Sequence, residues 1–267
     1  MTVIRTAYEA LPSIVHAQVE ELTGPVRHVT AASSGLNSAV AATLHTNGGA
    51  FFIKALPADA RWVWTQQREA GIAPYVRTVS ANFTGRIVAA GWDVLLFSAL
   101  EAHHHADYTP GSADLAATAA LLSELGALPC PAIELKHADQ RLAAYVERPG
   151  DALLFRGDAL LHTDWNNTNV LVDQGRARLV DWGWATRGAP WLDAAYWTIW
   201  LIAAGHAPAD AEAWAARVPA WSRASSAALN VFAAASARLW SEITTNSTDA
   251  WTQTLAEAAN AWASWRS

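Results

Sequence analysis

Hydrophobic positions in the first hundred residues mostly alternate with polar ones in short runs. After a stretch with helical spacing, Ile4, Ala7, Leu11 and Ile14, expected to continue to about Glu21, the segments Val26–Ala31, Ala39–His45 and Phe51–Leu56 read as strands. Asn47-Gly48-Gly49 is a hairpin turn between the last two, so the three form a meander. Helical spacing returns over Arg61 to about Val76, and two further strands, Arg86–Ala89 and Trp92–Phe97, meet at Gly91. Beyond Ser98 the pattern turns mostly helical, with helices expected over Ala113–Ala127 behind a Ser112 cap, Pro190–Ala204, Ala209–Arg217, Ala224–Ile243 and Asp249–Trp265. The expected class is α+β: a five-stranded antiparallel sheet with helices over 1–98, then a mostly helical domain over 99–267.

One stretch of the helical part carries chemistry. His162-Thr163-Asp164 is followed by Asn169-Val170-Leu171, by a hairpin of Leu171–Asp173 and Ala177–Val180 around Gln174-Gly175, and then by Asp181. H-x-D-x-x-x-x-N, a hydrophobic strand and an Asp is the order of the catalytic loop and metal-binding strand in the kinase superfamily. Transfer of a γ-phosphoryl group needs an acceptor hydroxyl held in line and metal ions that neutralise phosphate charge. Asp164 suits the first task; Asn169 and Asp181, which the hairpin is expected to bring together, suit the second.

Two upstream residues fit the same chemistry. Lys54 interrupts the apolar run Phe51-Phe52-Ile53-Lys54-Ala55, as an edge charge would, or as a lysine that contacts phosphates. Glu69 lies fifteen residues later on the next helix, where it can pair with Lys54 and aim the ammonium. The turn Ser33–Ser38 offers hydroxyls and backbone N–H groups, with Ser34, Gly35 and Asn37 expected over the phosphates. Ser98 to Leu100 forms the expected hinge, whose backbone would read the purine edge.

A net charge of −6 and a pI near 5.8 argue against a nucleic-acid partner. The longest apolar run, Ala194–Ala204, is too short to span a bilayer, and no signal-peptide core is present. Cys130 is the only cysteine, which suits a reducing compartment, so a cytoplasmic protein is expected, monomeric or weakly dimeric. His103-His104-His105 cannot converge on one ion from an extended segment, so they read as a post-hinge loop. Most of the fifteen tryptophans read as core filler; Trp165, next to Asp164, is expected at the mouth of the site.

With Lys54, Glu69, His162-Thr163-Asp164, Asn169 and Asp181 in order before a helical tail, the chain resembles the aminoglycoside phosphotransferase family over almost its whole length. The resemblance implies a bilobal protein-kinase-like fold, ATP or GTP with Mg2+ as cofactors, and a small hydroxylated acceptor. By that similarity Asp164 is the catalytic base, Asn169 and Asp181 are magnesium ligands, Lys54 is the phosphate contact and Glu69 its partner. His162 braces the loop, and Asp193 caps the following helix and supports the catalytic segment. Asp193 and Trp165 are also the candidates for acceptor contact. The chain departs from protein kinases in lacking G-x-G-x-x-G at Ser33–Ser38, in having Trp182 after Asp181, and in lacking A-P-E. Tail carboxylates Asp210, Glu212, Glu242, Asp249 and Glu257 are nearly balanced by Arg217, Arg223, Arg238 and Arg266, so an aromatic-lined pocket for a less charged alcohol is expected rather than a polycation site. An antibiotic kinase (nucleoside, peptide or aminoglycoside type) is the leading expectation, ahead of a metabolic kinase for a sugar, choline-like alcohol or homoserine, and of a non-catalytic nucleotide-binding regulator.

Overall fold

The structure, a computed structural model, describes residues 5–32, 38–100 and 103–267. The chain divides into two compact units, Met1–His103 with Val180–Gly183, and His104–Leu179 with Trp184–Ser267.

In the first unit, helix α1 (Ser13–Thr23) precedes strands β1 (Val26–Ala31), β2 (Val40–Thr46) and β3 (Gly49–Pro57), then helix α2 (Val63–Ile72) and strands β4 (Phe83–Ala89) and β5 (Trp92–Ser98). The helix expected from the N-terminus starts only at Ser13, because Pro12 holds Leu11 extended at ψ 150° and residues 8–10 form a separate 3-10 turn. The five strands pair antiparallel in the order β1-β2-β3-β5-β4. Alternation sorts their two faces. Ile53, Ala55, Val94 and Leu96 face a core shared with Val15 and Val19 of α1. Lys54, Leu56, Leu95 and Asp93, one register position away, therefore share the opposite face, where α2 packs.

The second unit opens on β6 (His104–His105) and α3 (Asp114–Gly126), with β7 (Lys136–His137), α4 (Ala138–Leu142) and β8 (Ala159–Leu161) following. Then come β9 (Val170–Asp173), β10 (Arg176–Leu179), β11 (Thr186–Gly188) and four helices: α5 (Leu192–Ala203), α6 (Pro208–Ala215), α7 (Ser226–Thr245) and α8 (Ala250–Arg266). Strands β9 and β10 are the expected hairpin, joined by β6, so His104 and His105 pair with Val172 and Leu171 instead of lying in a loop. A second small sheet, β7-β11-β8, was not expected; strands of two or three residues carry no readable period. The core gathers α5, α7 and α8 around Phe232, which meets Phe155, Trp191, Tyr196 and Trp262 edge to face. Among the described residues, no helix is long and apolar enough to cross a membrane.

Candidate active site

In the first unit, Lys54 is the centre of a charged cluster. Its Nζ lies 2.9 Å from Glu69 Oε2 and 3.2 Å from Asp181 Oδ1. Strand alternation turns Lys54 toward α2, and Glu69 on the buried side of that helix meets it. Gln66, one turn earlier, anchors the same helix: with its amide nitrogen toward β5 it donates to Asp93 Oδ1 at 3.2 Å and to Asp93 O at 2.8 Å. Asp93 in turn pairs with Arg86. Burial disfavours the Lys54 ammonium, but the carboxylates of Asp181 and Glu69 outweigh it and raise its pKa above the ordinary lysine value. Burial raises the Glu69 carboxyl as well, opposed by Lys54 and by the Trp182 backbone N–H, which donates to Glu69 Oε1 at 3.3 Å.

The Val180–Gly183 segment is shaped for this contact. Asp181 sits at φ 66°, a left-handed conformation uncommon for a non-glycine residue. Trp182 is buried, with its indole N–H donating to Ser80 Oγ at 3.1 Å. At Gly183 a Cβ would come within 2.8 Å of Thr65 Cβ on α2, so only glycine lets the helix approach this closely.

In the second unit, the catalytic-loop candidates hang from one carboxylate. Asp193 Oδ2 accepts the His162 N–H at 2.9 Å and Oδ1 the Thr163 N–H at 2.8 Å. Burial raises the Asp193 carboxyl, opposed by the Trp165 indole and those two N–H groups, although the Trp165 Nε1 makes no hydrogen bond of ordinary geometry. Thr163 holds φ 69°, unusual for a β-branched residue, and its hydroxyl takes Arg141 Nη1 at 2.8 Å and donates to Trp184 O at 3.2 Å. Arg141 also reaches Thr186 Oγ1 at 2.6 Å, clamping the loop to β11. His162 is buried and its Nδ1 accepts the Asp164 N–H at 3.3 Å, which places a ring proton on Nε2 when the imidazole is neutral. Asn169 Nδ2 donates to Asp164 O at 3.3 Å, directing the amide oxygen elsewhere.

The placement corrects two expectations. Trp165 is not at a mouth: it is fully buried, its ring 6.1 Å from that of His162. Asp193 neither caps α5, where Trp191 holds the cap position, nor faces outward as an acceptor contact; it is buried with both oxygens committed to backbone N–H groups. Of the tail's tryptophans, Trp191, Trp197 and Trp262 are buried in the core while Trp251 and Trp265 are exposed, and Glu212 is held by Arg266 and the Trp262 indole. Ser34, Gly35 and Asn37 lie outside the described residues. At the hinge, the Ser98 and Ala99 N–H groups are taken by Asn82 O and Ala50 O, and the Leu100 carbonyl is in contact with the His103 ring. Among the described residues no cluster of three or more His, Cys, Asp or Glu has the arrangement of a metal site.

Sequence reading missed Arg141, Trp184 O and the Trp182 N–H, because backbone groups and a lone arginine leave no motif.

No family model matches this chain, and no curated protein does. Solved structures do. Choline kinase LicA from Streptococcus pneumoniae superposes with a TM-score of 0.65 at 15% identity, covering 94% of this chain and 98% of that one. A thermostable mutant of aminoglycoside phosphotransferase APH(4)-Ia gives 0.60 at 14% identity, over 91% and 97% of the two chains. A putative aminoglycoside phosphotransferase from Ralstonia eutropha gives 0.59 at 12%, over 94% and 96%. At such identities the likeness is one of architecture, and the chain has the kinase-like α+β fold shared by choline kinase and the aminoglycoside phosphotransferases.

Proposed function

We propose that this chain is an ATP- and Mg2+-dependent O-phosphotransferase that phosphorylates a hydroxyl of a small molecule, with an antibiotic as the leading acceptor class. The observation that carries the reading is the Lys54 ammonium between Glu69 and Asp181. A lysine so flanked keeps its charge, as a contact for phosphate oxygens requires. The fold supports an adenine nucleotide, because choline kinase LicA has been solved with AMP and APH(4)-Ia with ADP and hygromycin B. Ser34, Gly35 and Asn37 are proposed over the phosphates, and the backbone from Ser98 to Leu100 near the base.

Magnesium, when bound, supplies charge neutralisation on the phosphates. Asp181 and Asn169 are its proposed ligands, and their chemistry fits: Asp181 offers a carboxylate with 34% side-chain exposure, Asn169 an amide oxygen turned away from its own hydrogen bond. Asp164 accepts the proton of the acceptor hydroxyl as the oxygen–phosphorus bond forms; the bond from the γ-phosphorus to the bridging oxygen breaks and ADP leaves. His162 and Asp193 hold the loop that presents Asp164. A second reading, an alcohol of metabolism as acceptor, is favoured by the likeness to choline kinase. Either enzyme is proposed to act in the cytoplasm as a monomer or weak dimer.

The test is ADP release from Mg-ATP with choline, hygromycin B, nucleosides and sugars as acceptors. Asp164→Ala is expected to lower turnover by roughly 10²–10⁴ while ATP affinity stays within a few fold. Wild-type protein that binds ATP but releases no ADP with any acceptor or with water would be a nucleotide-binding regulator instead.

A further inference from the structure

In the second unit, the residue before the proposed base is tied to a single arginine nitrogen. Helix α4 has five residues, and Arg141 in its last turn is partly buried. Its Nη1 lies 2.8 Å from Thr163 Oγ1 and 2.6 Å from Thr186 Oγ1. Both hydroxyls point onward to one acceptor, the Trp184 carbonyl, from Thr163 at 3.2 Å and from Thr186 at 2.8 Å. Arg141 Cζ also lies 5.2 Å from the centre of the Trp184 ring, so the guanidinium is held from a second side.

The ends of this network set its direction. A guanidinium has only donors and a carbonyl only lone pairs, so both threonine hydroxyls accept from Arg141 and give their protons to Trp184 O. Nη1 has two hydrogens, one for each threonine, which leaves its 3.4 Å approach to Trp184 O a weak third contact. Without Arg141 each hydroxyl keeps a place to donate but loses what orients it from the other side. Thr163 needs that hold. It stands at φ 69°, where a β-branched residue is strained and relaxes unless its surroundings prevent it. Asp193 Oδ1 grips the Thr163 N–H but not its side chain. The peptide that leaves Thr163 leads directly to Asp164, so a turn of Thr163 toward negative φ swings the carboxylate with it.

We propose that Arg141 is a positioning residue for phosphoryl transfer: acting through the Thr163 hydroxyl, it keeps the Asp164 carboxylate in the direction that the reaction uses. The inference rests on the phosphotransferase reading, and it assigns Arg141 no contact with nucleotide or acceptor. Arginine suits the task because one nitrogen serves two hydroxyls while the planar group rests on an indole; a lysine ammonium has no plane to stack.

Arg141→Met removes the donors and keeps most of the stem; Thr163→Val keeps the β-branched shape and removes the hydroxyl. ADP release from Mg-ATP is measured well below the melting temperature, with water and with any acceptor found active. Each variant is expected to lower kcat on the order of tenfold to a hundredfold with the KM for ATP within a few fold, since only the base is misplaced. The double variant should be no slower than the slower single one, because both break the same linkage. In an Asp164→Ala background, Arg141→Met should change the remaining rate by less than about twofold. A purely structural arginine would lower the melting temperature and leave the kcat of folded protein alone. Unchanged kcat in Arg141→Met, losses that multiply in the double variant, or an equal loss with and without Asp164 would each overturn the assignment. If Arg141→Met does not fold, Thr163→Val decides by the same comparison with and without Asp164. If wild type neither hydrolyses Mg-ATP nor transfers phosphate, the phosphotransferase reading itself fails, and this inference with it.

Discussion

The Asp193 carboxylate holds Thr163 by its backbone N–H at 2.8 Å, and Thr163 sits at φ 69° directly before the proposed base. The unfavourable backbone angle is maintained by contacts from outside the loop, with Arg141 gripping the Thr163 hydroxyl from α4.

Asp193→Asn keeps the size but turns an NH2 group toward one of two N–H donors. We expect a loss of about 1–3 kcal/mol in stability from the donor left without an acceptor. Turnover should fall about a hundredfold, since a misplaced reacting group typically costs that much. Thermal melts together with steady-state transfer check this; full activity in a stable variant would remove Asp193 from loop positioning.

Lys54 links the site to pH. Its folded pKa is raised above 10.5, so its contribution to stability is complete below that value and is lost only as the pH rises beyond it. Lys54→Met leaves Glu69 buried without its cation, at a cost of about 3–5 kcal/mol near neutral pH. The variant's Glu69 carboxyl then rises further above its ordinary 4.5, so the folded state binds the extra proton and stability declines as pH increases through that window. Melts at pH 5 and pH 8 are expected to show the larger deficit at pH 8; equal deficits would contradict the buried pair.

Gly183→Ala forces a methyl group to within 2.8 Å of Thr65 Cβ. We expect α2 to shift, with a stability loss of about 1–3 kcal/mol and weaker ATP binding. Thr65→Gly in the same chain should restore both, whereas Thr65→Ala should not, because the close atom is Cβ itself. Calorimetry on the three variants decides it.

Trp165→Ala is now expected to act through the core. Removing a fully buried indole costs about 3–5 kcal/mol, and activity should fall with the melting temperature. A selective rise in acceptor KM with an unchanged melt would put Trp165 back at the mouth of the site.

The sheet was legible because alternation over six to nine residues has only one way to bury its apolar face, and the same alternation turned Lys54 toward α2. The Lys54–Glu69 pair was legible because one strand and one helix fix its spacing. Asp193 does support the segment before Asp164, as expected, but not by capping α5: its partners are backbone N–H groups thirty and thirty-one residues away, which no side-chain pattern records. Only Trp165 was misjudged among the tryptophans, because adjacency in sequence to Asp164 does not say which way a ring turns, and its indole is buried. Where α5, α7 and α8 close on Phe232, Trp191 and Trp262 are buried while Trp200, Trp221 and Trp240 keep part of their surface.

Residues Val180–Gly183 pack with the first unit while β10 before them and Trp184 after them belong to the second, so the polypeptide passes between the units at three points along its length. The chain therefore cannot be dissected at its apparent joint. A fragment ending at His103 would lack the buried indole of Trp182 that Ser80 binds, and its Lys54 would keep Glu69 but lose Asp181. Such a fragment is expected to be less stable than the same residues in the intact chain, and Lys54 acquires its full electrostatic setting only after synthesis has passed Gly183.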